Sequence, residues 1–325
     1  MNTINELSKN IDTIYPLSPI QQGMLFHTLM HPNSGMYLQQ FRYIMAMENL
    51  DVDAFQKAWQ TVAERHQMLR SCFVHESQEQ PLQVVMKSAE LPFEYFDWRG
   101  QSDKQQQQDI EKILADERYH GLPFNKAPLM YVRLIRLSEN RYQFIRSYHH
   151  ILMDAWCFSI IMVEFLQFYR HFANKEPLQL KAPVPYENYI YWLEQQNSFQ
   201  PKEFWKKKLK GFNQPTDLGI YQAGRFKLES QVISKDVITQ LDQQTTILLH
   251  SIANQYEVTL NTLLQGAWAH TLALYSNNDD VIFGITVAGR PAELSGIESM
   301  VGLFINTLPL RCQSDLSQEL NEWFQ

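Results

Sequence analysis

The stretch LMYVRLIRLSENRYQFIRSYHHIL, Leu129 to Leu152, constrains the fold more than any other part of the chain. Two runs rich in branched and aromatic residues flank the polar triplet Ser138-Glu139-Asn140, the pattern of a β-hairpin. A helical pattern then begins at Asp154 and runs through Trp156, Ile160, Val163 and Tyr169. The order is strand, turn, strand, short turn and helix. Side chains alternate between the faces of a strand. His150 is therefore expected on one face with Phe144, Arg146 and Tyr148, and His149 on the other.

In LSPIQQGMLFHTLMH, Ser18 followed by Pro19 is a strong helix start, with Ile20, Met24 and His27 on one face. The segment after Asp51 or Asp53 places Ala54, Phe55, Ala58, Trp59, Val62 and Ala63 at helical spacing. LRSCFVHE and LQVVMK read as strands, and SDKQQQQDIEKILADERYH as a polar amphipathic helix. Pro177, Pro183, Pro185 and Pro201 cluster where the composition shifts, which puts a boundary near residues 174–186 and predicts domains 1–178 and 179–325. The second part holds a helix in EVTLNTLLQGAWAHTLALYS, a strand in VIFGITV, the loop AGRPAELSGIESM, a strand in LFINTLPLRC and a helix start in DLSQELNEWFQ. The sequence stops inside that helical pattern, so an incomplete second domain is expected.

Composition narrows the partners. A net charge of −7 and no basic block longer than Lys206 to Lys208 argue against nucleic acid. Cys72, Cys157 and Cys312 are isolated and odd in number, the usage of free thiols in a reducing compartment. The first residues lack a basic segment followed by an apolar one, and no run of about 18 apolar residues offers a membrane span. The expectation is a cytoplasmic protein that uses neither membrane nor nucleic acid.

The histidines admit three readings. Neighbours in a strand point to opposite faces, and no second His/Cys cluster exists to complete a shell, so a metal site is not expected. Asp154 can cap its helix while a histidine sits satisfied in the core. Alternatively, one histidine faces a cleft and accepts a proton near neutral pH. There is no G-x-S-x-G elbow, and no cysteine has an activating neighbour in sequence, so such a histidine would assist one substrate attacking another. The local pattern leaves the last two readings open.

Beyond the local pattern, His149-His150-Ile-Leu-Met-Asp154-Ala155 resembles the HHxxxDG motif of condensation domains of non-ribosomal peptide synthetases. LSPIQQGMLFH is similar to the first core motif of that family, RHQMLRS (Arg65 to Ser71) to its RHxxLRT, YENYIYWL (Tyr186 to Leu193) to its YxDYAxW, and VGLFINTLPLR (Val301 to Arg311) to its IGxFVNTxxxR. These motifs follow the family's order over almost the whole chain.

The resemblance implies an α/β chain of two chloramphenicol-acetyltransferase-like lobes in a V, each a mixed sheet with helices and the second incomplete, and amide formation between two carrier-borne thioesters. No cofactor is implied for the domain itself; the substrates ride on the 4'-phosphopantetheine arms of upstream and downstream peptidyl carrier proteins, with an adenylation domain adjacent. It implies His150 as the catalytic residue, with His149 packing behind it. Asp154 becomes a structural ion-pair partner, with Arg70 and Arg290 as candidate cations. Ser18, Gln21, Trp156, Gly302, Asn306 and Thr307 are expected to line the site or its tunnel. Ala155 departs from the motif's glycine and is expected to narrow or re-aim the site. Related reactions in the same superfamily are ester formation, epimerisation and starter N-acylation. A non-catalytic platform that recruits carrier proteins is the reading from another class.

Overall fold

The computed structural model describes residues 10–75, 79–196, 199–219, 237–313 and 323. The chain divides into two compact units, Met1–Gln196 with Ala288–Ile305, and Asn197–Val287 with Asn306–Gln325.

In chain order the first unit holds β1 (Ile11–Pro16), α1 (Pro19–Met30), β2 (Leu38–Ala46), α2 (Val52–Arg65), β3 (Ser71–Val74), β4 (Leu82–Met86), β5 (Phe93–Asp97), α3 (Asp103–His120), β6 (Met130–Ser138), β7 (Arg141–His149), α4 (Trp156–Asn174) and α5 (Glu187–Glu194). The expected hairpin is β6–β7, antiparallel from Met130↔Tyr148 to Ser138↔Arg141. It forms the centre of a four-stranded sheet in the order β2-β7-β6-β5, with β5 parallel to β6. A second sheet runs β1-β4-β3. The strand β5, FEYFD, carries no clean apolar alternation and was not among the expected strands.

The four-stranded sheet is covered on both faces, and alternation along β7 shows how. Tyr142, Phe144 and Tyr148 join the main core with Trp59 of α2 and Phe165 of α4. On the opposite face Ile145 packs with Ile110 and Leu114 of α3, and Ser147 Oγ donates to Glu117 of α3 at 2.5 Å. Helix α2 buries the six residues its periodicity selects, and Asp51 caps it by accepting from Ala54 N at 2.9 Å.

Helix α1 departs from its expected face. It buries Gln21, Met24 and Leu25, while Ile20 is half-buried and His27 exposed. Gln21 is drawn inward because its amide donates to Gln83 Oε1 at 3.1 Å and to the Ile151 carbonyl at 3.2 Å. Hydropathy ranks a glutamine as surface and misses such buried partners.

Residues 179–196, expected with the second domain, belong to the first unit. Tyr186, Tyr189 and Ile190 enter its core. The strand expected at Leu303 also starts later. Leu303 and Phe304 are buried in irregular backbone of the first unit, and β9 begins at Asn306.

The second unit contains α6 (Phe199–Lys208), α7 (Gln243–Gln255), α8 (Leu260–Ser276), β8 (Asp280–Val287) and β9 (Asn306–Gln313). β8 and β9 pair antiparallel, and Ala269, Leu272 and Ala273 of α8 pack on Val281. Arg311 of β9 bridges Asp280 of β8 at 2.6 Å. The helix expected in DLSQELNEWFQ lies, apart from Trp323, outside the described residues. Among the described residues no helix is long and apolar enough to cross a membrane.

Candidate active site

Strand β7 ends at His149, and His150 opens a 3-10 turn, His150–Leu152, that leads into α4. The two histidines have different surroundings. His149 is buried among Phe124 and Tyr37, each edge-on to its ring. Its Nδ1 accepts from Ile151 N at 3.1 Å, which leaves the ring proton on Nε2, 3.1 Å from Thr28 Oγ1. The Thr28 hydroxyl in turn donates to the Met24 carbonyl at 2.8 Å. Burial, helped by the neighbouring His150, pushes the His149 pKa down to about 3, so its imidazole is neutral. A pocket of about 140 Å³ lined by Thr28, Leu38, Arg118 and Leu122 reaches His149 from this side.

His150 is half-exposed. Its backbone N–H donates to the Tyr37 carbonyl at 2.8 Å, and Tyr37 stands in the left-handed region at φ 60°. Few non-glycine residues adopt that conformation, and here it aims a carbonyl at the turn. The His150 Nδ1 is buried and finds no hydrogen-bond partner among the described residues.

Asp154 does not orient His150. Its side chain is 2% exposed. One carboxylate oxygen lies 3.4 Å from Arg290 Nη2, and the other accepts from the Phe304 N–H at 3.0 Å. The Asp154 N–H in turn donates to the Gly302 carbonyl at 3.2 Å. Nor does its carboxylate cap α4; the residue before that helix is Ala155, which makes no side-chain cap. Arg290 continues the network by donating to the Ile297 and Met300 carbonyls, and its guanidinium sits 4.0 Å from the Phe304 ring centroid and 5.4 Å from that of Trp156. Cys157 completes the cluster, with Sγ 3.3 Å from Gly302 N. Burial and the adjacent Asp154 push its thiol up to about 12, so it is packing and not a nucleophile.

Of the two candidate cations, then, Arg290 meets Asp154 and Arg70 does not. Arg70 pairs with Asp12 at 2.9 Å and donates to the Met86 carbonyl, tying the RHQMLRS segment to β1 and β4. The other half of that segment points to α4: His66 Nε2 and Arg65 Nε lie 2.7 Å and 3.0 Å from the same Glu164 oxygen. Burial raises the Glu164 pKa, but its bonds to His66 and Arg65 outweigh that and hold it below the ordinary carboxylate range.

Ser18 and Gln21 are 2% and 0% exposed and so line no open space. They form a reciprocal cap, with Gln21 N donating to Ser18 Oγ and Ser18 N donating to Gln21 Oε1, and Gln21 then reaches the Ile151 carbonyl beside His150. They position the turn. Trp156 is 53% exposed and donates from Nε1 to the Glu298 carbonyl. At Gly302 a Cβ would overlap the Tyr186 ring, so glycine there is a matter of close approach. The Tyr186 hydroxyl donates to the Leu303 carbonyl at 2.8 Å, joining the YENYIYWL and VGLFINTLPLR segments. Asn306 and Thr307 open β9 in the second unit, where both are exposed. Ala155 has φ −64° and ψ −26° and is exposed, a conformation alanine adopts without strain. Tyr37, Cys157, Glu164 and Phe304 were not singled out from sequence.

The family of condensation domains matches residues 11–325, and the chain belongs to it. It is similar to a linear gramicidin synthase of Brevibacillus parabrevis, 39% identical over 98% of this chain and 4% of that protein. Bacitracin synthase 3 of Bacillus licheniformis is 39% identical over 95% of this chain and 5% of that protein. The chain thus spans a small fraction of the length of these relatives. In fold it resembles the first condensation domain of the CDA synthetase, with a TM-score of 0.76, 15% identity and coverage of 96% of this chain and 72% of that one. It also resembles the starter condensation domain of rhizomide synthetase RzmA, with a TM-score of 0.72, 18% identity and coverage of 96% and 70%.

Proposed function

We propose that this chain joins a donor acyl or peptidyl thioester to an acceptor aminoacyl thioester, each carried on the phosphopantetheine arm of a peptidyl carrier protein. The observation that carries the reading is His150, half-buried in the turn that follows β7 and free of Asp154, whose carboxylate is taken by Arg290 and Phe304. The acceptor amine attacks the donor carbonyl; the C–N bond forms, the C–S bond breaks, and the amine proton passes by way of His150 to the departing thiolate. An imidazole can take up and hand on a proton in that transfer. Holding two tethered arms end to end removes much of the entropic barrier.

In this reading the two units are the two acyltransferase-like lobes, the first carrying the histidine motif. His149, Asp154, Arg290, Gly302 and Gln21 position the turn that presents His150, and Trp156 borders the site. An adenylation domain supplies the acceptor residue to its carrier. The localisation that fits is the cytoplasm.

The test is a condensation reaction. Two carrier proteins are loaded with a donor and an acceptor aminoacyl group and mixed with the full chain. The expected result is the elongated thioester on the acceptor carrier by mass spectrometry. Both carriers remaining unchanged would reject the reading in favour of a recruitment platform.

A further inference from the structure

Arg146 of β7 is 1% exposed, and its Nε, Nη1 and Nη2 all lack a hydrogen-bond partner among the described residues. Its guanidinium lies instead among four rings: Phe41 at 5.3 Å, Trp59 at 5.9 Å, Tyr148 at 5.2 Å and Phe158 at 5.1 Å from their centroids. Aromatic faces recover part of the cost of removing this charge from water, but they satisfy none of its N–H donors. Two half-buried cations of this unit are used differently. Arg290 and Arg133 are each committed to a carboxylate.

The position of Arg146 is equally specific. It shares a face of β7 with Tyr148, and His150 follows two residues after Tyr148, in the 3-10 turn just past the end of the strand. Two of its four rings, Phe41 on the edge strand β2 and Phe158 on α4, are only half-buried, and a third half-buried ring, Tyr43, stacks on both. An acyl chain entering past these half-buried rings would meet apolar ring faces first and an unpaired guanidinium fork behind them. A fork with all its donors free matches a carboxylate in bidentate geometry better than any neutral group. A phosphate at the surface of a carrier would not reach a residue this buried.

We infer that Arg146 is a specificity residue that receives the carboxylate at the far end of a carrier-borne acyl group whose thioester lies at His150. The inference rests on the condensation reading for the identity of the tethered substrate, and its test does not require turnover. The full chain is titrated calorimetrically with N-acetylcysteamine thioesters of glutaric and suberic acid and with their terminal-amide analogues. Glutamyl and glutaminyl thioesters form a second arm. At least one acid is expected to bind about tenfold or more tightly than its amide, the range of a charge-assisted hydrogen bond. A preference among the thioesters without an α-amine assigns the group to the donor; one confined to the glutamyl pair assigns it to the acceptor. Arg146→Met should abolish the preference and melt no lower than wild type, because it removes an unpaired buried charge while keeping the length of the side chain. Arg146→Lys should keep the charge but lose most of the preference with the fork. No acid preference in the wild type, a preference that survives in Arg146→Met, or a lower melting temperature in that variant would each overturn the assignment. Selective binding without any amide product would count against the condensation reading alone.

Discussion

The carboxylate of Asp154 accepts the backbone N–H of Phe304 at 3.0 Å across 150 residues of sequence. That bond, with Arg290 on the other oxygen, fastens the 300–304 segment to the loop between His150 and α4. Asp154→Ala leaves Arg290 buried without its counter-charge, and breaking such a pair costs about 3–5 kcal/mol. Urea unfolding should show that loss, with Asp154→Asn intermediate because it keeps one acceptor. An alanine variant as stable as wild type would contradict the anchoring role.

Burial keeps His149 neutral, and this sets a pH dependence. Its folded pKa of about 3 lies below the ordinary histidine value of about 6.5. Between these values the unfolded chain binds a proton that the folded chain does not. The stability due to His149 neutrality is therefore present above about pH 6.5 and declines as pH falls, by about 1.4 kcal/mol per unit, until about pH 3. Stability measured from pH 7 to pH 5 in His149→Gln should decline less steeply than in wild type. Equal slopes would show that His149 takes up its proton in the folded state.

Gly302 and Tyr186 occupy mutually exclusive space, since a Cβ on the glycine would enter the ring. Gly302→Ala should destabilise by about 1–3 kcal/mol through overpacking. Tyr186→Leu should also destabilise, by losing packing and the bond to the Leu303 carbonyl. Together the two should cost less than their sum, and strictly additive effects in a double-mutant cycle would argue against the contact.

Ala155 replaces the glycine that the family motif carries, yet its backbone is ordinary helical. Ala155→Gly should change stability by less than about 1 kcal/mol, because the lost backbone entropy is set against the preference for glycine over alanine at an N-cap. Its condensation rate should stay within about threefold of wild type, under 1 kcal/mol in the barrier. A much faster glycine variant would mean that the methyl obstructs the site.

Where apolar period and turn chemistry agree, the sequence was readable. The β6–β7 hairpin, the buried stripe of α2 and the two faces of β7, Phe144 and Tyr148 on one and Ile145 and Ser147 on the other, all follow from local pattern. The family motifs singled out the region around His150 and Asp154, and Arg290 among its cations. The residues misread are those whose partners are distant in sequence. Gln21 is buried by amide bonds to Gln83 and Ile151, and Arg70 is taken by Asp12. The 303–304 pair looks like a strand start but supplies an N–H to Asp154. Glu164 was accessible in principle, as a charge seven residues after Cys157 on the buried stripe of α4 must have a partner. The left-handed turn at Tyr37 left no such signal.

The most direct measurement compares wild type with His150→Ala in single-turnover condensation between loaded carriers, with circular dichroism and melting temperature as controls for folding. General acid–base assistance contributes about 10²–10⁴ in rate. His150→Ala should therefore be folded and form amide at least about 100-fold more slowly, while His149→Gln retains most of the activity. A folded His150→Ala that condenses at the wild-type rate would show that the half-exposed histidine at the end of β7 is not the residue that moves the proton.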